Sequence, residues 1–460
     1  MLKAKNVDIT GGPIAKSMLL YAIPIILGAL IQVAFNAADL IVVGKMGGTA
    51  ASAAVGAVSP IINLLVNSFV GLSVGINAVL ARRLGQKDTE SAGKVVNTAL
   101  ISAFVLGILL MIVFFAFSKP LLKTLNCDEE YIEGAIVYLN IYAVGIPAVL
   151  LYNYSAAIIR SMGDTTRPFI YLVIAGITNV VLNLFLCLIL KNKVAAVAIA
   201  TTASLFVGAV LTMLHLIRLD NGVGFNIKKL SFSFRALSTI LKIGTPCAFN
   251  AALFSFSNLQ MASALNSYGT AATAGGAAAT NIESITTSIT TGFNSTTVPF
   301  VGQNLGANQQ KRVRQSIMWG LILSASISFV VSMTIYLLGE QILALYLPKD
   351  QSGAQAIALG VVRMKYISRF YVVAAAYSIL VSAMQAFGYS FVPMINSILT
   401  VCVFRIFWLQ IVYPRLDAVN HVIDNVYLCY PISWILTLIA HSVMFAIVYT
   451  RYKKGKLKEI

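Results

Sequence analysis

Charged residues are scarce in this chain of 460 residues, where Asp, Glu, Lys and Arg together make up 11%. A soluble globular protein carries about 25%, and here the hydrophobic share reaches 58%. Cysteine and histidine are also few, with five Cys and three His spread along the chain. Their spacing fits neither a disulfide framework nor a metal site. These shortages argue against a soluble protein, a disulfide scaffold and a zinc or haem protein, and we expect no metal and no cofactor.

Motifs that bind nucleotides or carry hydrolytic chemistry are missing too. The small-residue segments at 47–60 and 270–280 lack the GK[ST] ending of a phosphate-binding loop, and we expect them to allow close helix packing instead. There is no HExxH motif, no serine elbow and no pair of aspartates on neighbouring apolar segments. We therefore expect the chain not to be an enzyme, and any transport to draw on an ion gradient.

Long apolar runs are what the chain has in abundance. Runs of about 20 residues are long enough to cross a bilayer as helices. The sequence predicts an all-α, polytopic membrane protein with twelve transmembrane helices, near 16–42, 53–80, 95–117, 132–157, 168–190, 194–217, 237–263, 272–302, 314–338, 356–384, 391–413 and 427–450.

The net charge of +17 follows the topology of a membrane protein. If both termini are cytoplasmic, the inside-facing segments carry more than twice as many lysines and arginines as the outside-facing ones. The positive-inside rule favours that orientation. We therefore predict a multi-pass protein of the cell (plasma) membrane, the inner membrane of a bacterial cell, and no nucleic-acid partner.

The chain contains an internal repeat. The segment 71–85 resembles 292–306 at an offset of 221 residues, and Pro24 matches Pro246 at an offset of 222. Each copy holds six spans, and an even number of spans returns the chain to the side on which it began. The two copies should therefore share one topology, as parallel repeats of transporters do.

This repeat predicts the domain organisation. We expect an N-lobe at 1–217, a cytoplasmic linker at 218–235 and a C-lobe at 236–460, with the six-helix lobes related by a pseudo-twofold axis along the membrane normal. Pro24 and Pro246 lie inside the first span of each lobe, where a proline removes a backbone hydrogen bond and favours a kink. Each is predicted either to be a hinge or to hold a static kink.

Asp39 is a carboxylate in an otherwise apolar span. Gln32, Asn36 and Asp39 are spaced i, i+4 and i+7, which places them on one helix face. Intramembrane carboxylates are functional by default, although neighbouring amides can also hold a structural one. Counting from the outer span ends places Asp39 at roughly the same depth as Asn183 of span 5 and Thr201 of span 6. Asn179 lies one helical turn from Asn183 on span 5.

Four motifs carry a family resemblance. They are "IPIILGALIQVAFNAADLIVVGKMG" (23–47), "VGLSVGINAVLARRLGQKD" (70–88), "IIRSMGDTTRP" (158–168) and "VGQNLGANQ" (301–309). They resemble the multidrug and toxic compound extrusion (MATE) family, in particular its bacterial DinF-like branch. The resemblance implies a twelve-helix antiporter that exports organic, often cationic, compounds against inward-flowing H⁺ or Na⁺.

The resemblance also implies an ion-coupling site. The acidic residue of the family's first span falls on Asp39, and its polar positions in spans 5 and 6 fall on Asn179, Asn183 and Thr201; Asn36 completes the predicted set. Many relatives carry Asp at the position of Asn183. With one carboxylate fewer, the site is less suited to a bare Na⁺, which favours H⁺.

The predicted C-lobe has charges of its own in Glu283, Arg369 and Arg405. They are interpreted either as a structural ion network or as part of the substrate wall. The residues predicted to line a substrate cavity are Gln32, Asp39, Tyr142, Glu283 and Arg405.

The resulting hypothesis is a secondary antiporter that works by alternating access. Its partners should be small organic substrates, the coupling ion and the lipid bilayer, and it should be a monomer. The alternative is an exporter or flippase of anionic or lipid-linked substrates, suggested by the two intramembrane arginines.

Overall fold

The computed structural model describes residues 7–124, 127–219, 222–225, 230–420 and 422–456. Regular structure in these ranges is entirely helical. The α-helices are α1 (Ile14–Gly85), α2 (Thr89–Thr124), α3 (Ile132–Ser161), α4 (Thr166–Ile189), α5 (Lys193–Ile217), α6 (Phe234–Leu265), α7 (Thr270–Gly306), α8 (Gln310–Leu337), α9 (Gly339–Tyr346), α10 (Gln351–Ala386), α11 (Phe391–Ser397), α12 (Phe404–Phe407), α13 (Tyr413–Asn420), α14 (Asp424–Tyr427) and α15 (Cys429–Lys453). Two π-helical segments, Ile398–Val403 and Trp408–Val412, flank α12.

The prediction of a twelve-helix, all-α membrane protein is confirmed. Eleven helical stretches in the described ranges are long and apolar enough to cross a bilayer, and α1 supplies two of them. The twelfth is α7, whose 37 residues are rich in serine and threonine and therefore less apolar. Several helices extend beyond the predicted spans, as α2 does at Thr89–Thr124.

The first two predicted spans are joined into one helical element, α1, with a break at Gly48. Its torsion angles there are φ 77° and ψ −173°, a region of backbone space that is essentially restricted to glycine. Gly269, 221 residues later, has φ 87° and ψ 179°. The same turn therefore separates the first two helices of each repeat.

Further backbone features also recur at nearly the same offset. Lys87 (φ 58°) pairs with Asn308 (φ 57°), and Gly163 (φ 93°) pairs with Gly388 (φ 88°). Positive φ is uncommon outside glycine, so its recurrence at matching positions is a structural trace of the duplication.

The chain forms two compact units. One comprises Met1–Ile9 and Ile23–Gly244, and the other comprises Thr10–Ala22 and Thr245–Ile460. The chain passes from one unit to the other inside two helices, each time just before a proline. These prolines are Pro24 in α1 and Pro246 in α6. The predicted lobe boundaries at 217 and 236 stay predictions. Residues 220–221 and 226–229 of the predicted linker lie outside the described residues.

Each unit includes a short segment from the other half of the sequence, and close contacts with the backbone hold that segment in place. In the first unit, a Cβ added at Gly75 would lie 2.2 Å from the backbone oxygen of Ile240. In the second unit, Arg312 donates from Nη1 to the oxygen of Gly12 and from Nη2 to that of Gly11, both at 2.9 Å.

The two predicted hinge prolines lie within regular helix. The break in α1 is at Gly48 and not at Pro24, and Pro246 is inside α6. Their hinge role stays a prediction.

The small-residue segment at 270–280 permits close packing, as its composition predicts. A Cβ added at Gly275 would lie 2.0 Å from the backbone oxygen of Ala356. Helices α7 and α10 therefore approach each other at backbone distance, and this contact positions the charged residues of the second unit.

Candidate functional site

Asp39 meets side chains from α4 and α5 in the first unit. Its Oδ1 accepts a hydrogen bond from Asn183 Nδ2, and its Oδ2 accepts one from Thr201 Oγ1 at 3.4 Å. Helix α1 and the consecutive helices α4 and α5 thus converge on one carboxylate. Hydrogen bonds to a charged acceptor are among the stronger ones in proteins, so this arrangement stabilises the carboxylate form.

Asn179 closes these contacts into a ring of four side chains. Its Oδ1 accepts from Asn183 Nδ2 at 3.1 Å, one helical turn away. Its own Nδ2 donates to Thr201 Oγ1 at 3.3 Å. We call Asp39, Asn183, Asn179 and Thr201 the Asp39 ring. One acceptor in it is unused, because the buried Oδ1 of Asn183 has no hydrogen-bond partner within the described part of the chain.

A short connection fixes α4 and α5 in the register that this ring requires. Asn192 caps α5 by accepting a hydrogen bond from the backbone nitrogen of Ala195 at 3.0 Å. Lys193 Nζ donates to the backbone oxygens of Cys187 (2.7 Å) and Leu190 (2.9 Å) at the end of α4. Side-chain capping of this kind satisfies the free backbone groups at helix ends.

The Asp39 ring is buried on one side only. Asn183 is 1% exposed and Asn179 is 5% exposed, whereas Asp39 and Thr201 are partly exposed. Asp39 and Thr201 therefore form the accessible side of the ring, and the two amides form its buried side.

Gln32 and Asn36 do not join this ring. Both are exposed on α1, and no hydrogen bond between them and the ring is found among the described residues. The polar face of the first helix therefore has one half-buried member, Asp39, and two exposed ones.

Two tyrosines of α3 line the protein side of the site. Tyr138 is 4% exposed and lies beside Thr201 within electrostatic range of Asp39. Tyr142, predicted to line the substrate cavity, is also 4% exposed and lies next to Tyr138. Sequence reasoning missed Tyr138, although its i, i+4 spacing from Tyr142 places both on one helix face.

In the second unit, Glu283 has a partner that the sequence analysis did not name. Arg363 donates to Glu283 Oε2 from Nη2 at 2.9 Å and from Nε at 3.2 Å. The expected partners Arg369 and Arg405 are not in this pair, which corrects the predicted network. Arg363 and Arg369 are six residues apart and point about 120° apart around α10, so only one of them can face α7.

Arg369 and Arg405 each lie against an aromatic ring. The guanidinium carbon of the exposed Arg369 is 4.4 Å from the ring centre of Tyr336. That of Arg405 is 4.1 Å from the ring centre of Tyr430, and Arg405 is 2% exposed. Of the residues predicted for the substrate cavity, Glu283 and Arg405 are thus buried in the second unit.

Comparison with known proteins agrees with this architecture. A sequence model of the MatE family matches residues 24–185 and again residues 246–409. The chain belongs to the MATE family. The two matches start 222 residues apart, which also confirms the internal duplication. MATE proteins are transporters, so the prediction that the chain is not an enzyme is confirmed. The DinF-like branch stays a prediction.

Several curated proteins resemble this MATE chain along most of their length. The probable multidrug resistance protein YoeA of Bacillus subtilis is 27% identical over 344 residues, covering 73% of this chain and 74% of that protein. An FAD transporter of Shewanella oneidensis is 26% identical over 316 residues, covering 67% and 69%. The chain is therefore a multi-pass membrane transporter similar to multidrug efflux proteins.

Solved structures show the same fold. A MOP superfamily transporter from Pyrococcus furiosus superposes with a TM-score of 0.90 over 98% of this chain and 100% of its own, at 22% sequence identity. A MATE protein in complex with MaL6 gives 0.89 at 22% identity, covering 98% and 100%. At this identity the likeness concerns the fold.

Proposed function

We propose that this MATE transporter is a secondary antiporter that exports organic cations in exchange for inward-moving H⁺, by alternating access. The observation that carries the proposal is the Asp39 ring. Among α1, α4 and α5 of the first unit, Asp39 is the acidic residue that lies away from the helix ends. Its environment suits two states of the side chain, one charged and one neutral.

Protonation changes the hydrogen bonds that Asp39 makes. The carboxylate accepts from Asn183 Nδ2 and Thr201 Oγ1, whereas the protonated acid also has a proton to donate. The unused Oδ1 of Asn183 supplies the acceptor once the amide turns. Binding of a proton therefore reorganises the contact between α1 and α4, because the turned amide of Asn183 no longer donates to Asp39 Oδ1 or to Asn179 Oδ1.

Exchange follows from competition for one charge. An organic cation is attracted by the carboxylate form of Asp39 and not by its neutral form. A proton that arrives from outside releases the substrate, and loss of the proton to the cytoplasm restores the site. Na⁺ is the other candidate ion, with oxygen ligands from Asp39, Thr201 and the two asparagines, but a site with a single anionic ligand should bind it weakly.

The test is flux in proteoliposomes with one gradient imposed at a time. Ethidium is a suitable probe because it is a fluorescent organic cation. A pH gradient without Na⁺ should drive ethidium transport by the wild-type protein. Transport that follows the Na⁺ gradient alone would refute the choice of ion.

A second candidate function is export of anionic substrates, including lipid-linked ones. Arg405 favours it because this buried cation has no carboxylate within salt-bridge distance in the described ranges. One relative carries the name FAD transporter, and FAD is an anion. Flux of FAD in the same proteoliposomes distinguishes the two candidates.

The remaining features of the proposal follow the topology. Both termini face the cytoplasm of a cell whose plasma membrane holds the protein, and the protein acts as a monomer without a nucleic-acid partner. Protease accessibility of terminal tags in oriented vesicles tests the orientation.

A further inference from the structure

Arg405 is buried with few of its hydrogen-bond donors in use. A guanidinium has five N–H groups, and Arg405 makes two long hydrogen bonds: Nε to Ser433 Oγ at 3.4 Å and Nη1 to Asn258 Oδ1 at 3.5 Å. The Tyr430 ring covers one face of the guanidinium at 4.1 Å. The other acceptors that a buried arginine normally has are not supplied by the described residues.

The charges buried around Arg405 do not balance. Glu283 is 6% exposed and Arg363 is 8% exposed, and they form an ion pair at 2.9 Å. Arg363 also lies 5.8 Å from the ring centre of Tyr430, so the pair and Arg405 share one aromatic neighbour. One positive charge is left over, and burial of an uncompensated charge is costly.

The backbone of this helix is irregular on both sides of Arg405. Residues Phe404–Phe407 are α-helical, whereas Ile398–Val403 and Trp408–Val412 are π-helical. Single π-helical turns are rare and occur often at functional sites. Arg405 also lies ten residues before Arg415, so it is roughly 15 Å below the outer end of the span, close to the bilayer midplane.

The two halves of the repeat carry charges of opposite sign, and they carry them on different helices. In the first half, the first helix supplies Asp39 and the fifth supplies amides. In the second half, the position of Asp39 is taken by Met261, the fifth helix supplies Arg405, and the first helix supplies its neighbour Asn258. Asn258 is exposed, so Arg405 lies one side chain below the surface of the second unit.

We propose that Arg405, with Asn258 and Ser433, forms a binding site for the carboxylate group of an organic substrate. A planar carboxylate matches the fork of a guanidinium. Its single negative charge neutralises the one excess positive charge of Arg405, Arg363 and Glu283, whereas the charge of a phosphate dianion would exceed it. The proposal rests on the proposed function in that it assumes a small organic substrate. It adds that this organic cation also carries an acid group, as a zwitterion does, and that the second unit binds that group.

The test is equilibrium binding to the purified full-length protein by titration calorimetry, with 1-naphthoate and its neutral isostere 1-naphthamide as probes. Wild type should bind 1-naphthoate at least tenfold more tightly than 1-naphthamide. Arg405→Gln should remove that preference, and Arg405→Lys should retain part of it because the charge stays while the fork is lost. Arg415→Gln, an exposed arginine of the same span, is the control and should match wild type.

Each other result counts against the proposal. Equal affinity of wild type for both probes, no binding of 1-naphthoate, or unchanged 1-naphthoate binding by a folded Arg405→Gln variant overturns it. Should Arg405→Gln fail to fold, the comparison of the two probes on wild type and on Arg405→Lys decides. Because these titrations use no ion gradient, their outcome is independent of whether Asp39 couples transport to H⁺.

Discussion

Replacing Asp39 by asparagine removes the charge of this side chain and nearly keeps its shape. The carboxylate accepts two hydrogen bonds, from Asn183 and Thr201. Hydrogen bonds to charged groups contribute about 1.5–3 kcal/mol each and neutral ones about 0.5–1.5. Two bonds that each weaken by about 1–1.5 kcal/mol should cost the variant about 2–3 kcal/mol, part of which is offset because a neutral amide costs less to bury than a carboxylate.

Transport should respond very differently. Without a group that takes up a proton at this site, flux of ethidium driven by a pH gradient should fall to the level of empty proteoliposomes. The unfolding temperature, followed by a thiol-reactive dye or by light scattering, should shift by only a few degrees. Asp88→Asn is a matched control, because Asp88 is an acid of the same unit that only caps the start of α2.

Two results would contradict this reasoning. A folded Asp39→Asn variant that keeps half or more of the pH-driven flux would make Asp39 a structural residue. An Asp39→Asn variant that fails to fold would mean that the carboxylate contributes far more to stability than its two hydrogen bonds account for.

Three further predictions test other contacts. Asn183→Asp adds a second carboxylate and should make proteoliposome flux depend on Na⁺; flux indifferent to Na⁺ would argue against ion binding at this position. Glu283→Gln leaves Arg363 buried without its partner and should lower the free energy of unfolding by about 3–5 kcal/mol. Adding Arg363→Met should recover part of that loss in thermal unfolding, and no recovery would contradict the ion pair. Gly275→Ala places a Cβ 2.0 Å from a backbone oxygen and should lower the unfolding temperature, whereas Gly56→Ala meets nothing within 4 Å and should not; equal effects would refute the close contact of α7 with α10.

The sequence predicts the Asp39 ring well because depth and helix face follow from simple counting. Asp39, Asn183 and Thr201 lie at similar distances from the outer span ends, and a fixed rise per residue turns those distances into a common depth. The counting fails for Gln32 and Asn36, since a shared face of about 60° does not decide which members of that face a neighbouring helix covers.

The charged pair of the second unit was harder to predict. Glu283 contacts Arg363 and not Arg369, and the choice depends on the rotation of α10 against α7, which packing at Gly275 determines. The π-helical segments around Arg405 have no pattern in the sequence that distinguishes them from α-helix. Both features arise from tertiary contacts, which neither hydropathy nor spacing encodes.

The division of the first helix between units has a consequence for biosynthesis. Residues Thr10–Ala22 leave the ribosome early, yet the rest of their unit begins at Thr245. At about 5–20 residues per second, roughly 10–45 s of translation separate the two pieces. The first unit is likewise incomplete until Gly244 has been made, which comes after the six helical spans of the first repeat and the segment that follows them. Neither half of the sequence, translated alone, can therefore complete its unit. A chain cut between α5 and α6 should assemble only when both fragments are present in the same membrane.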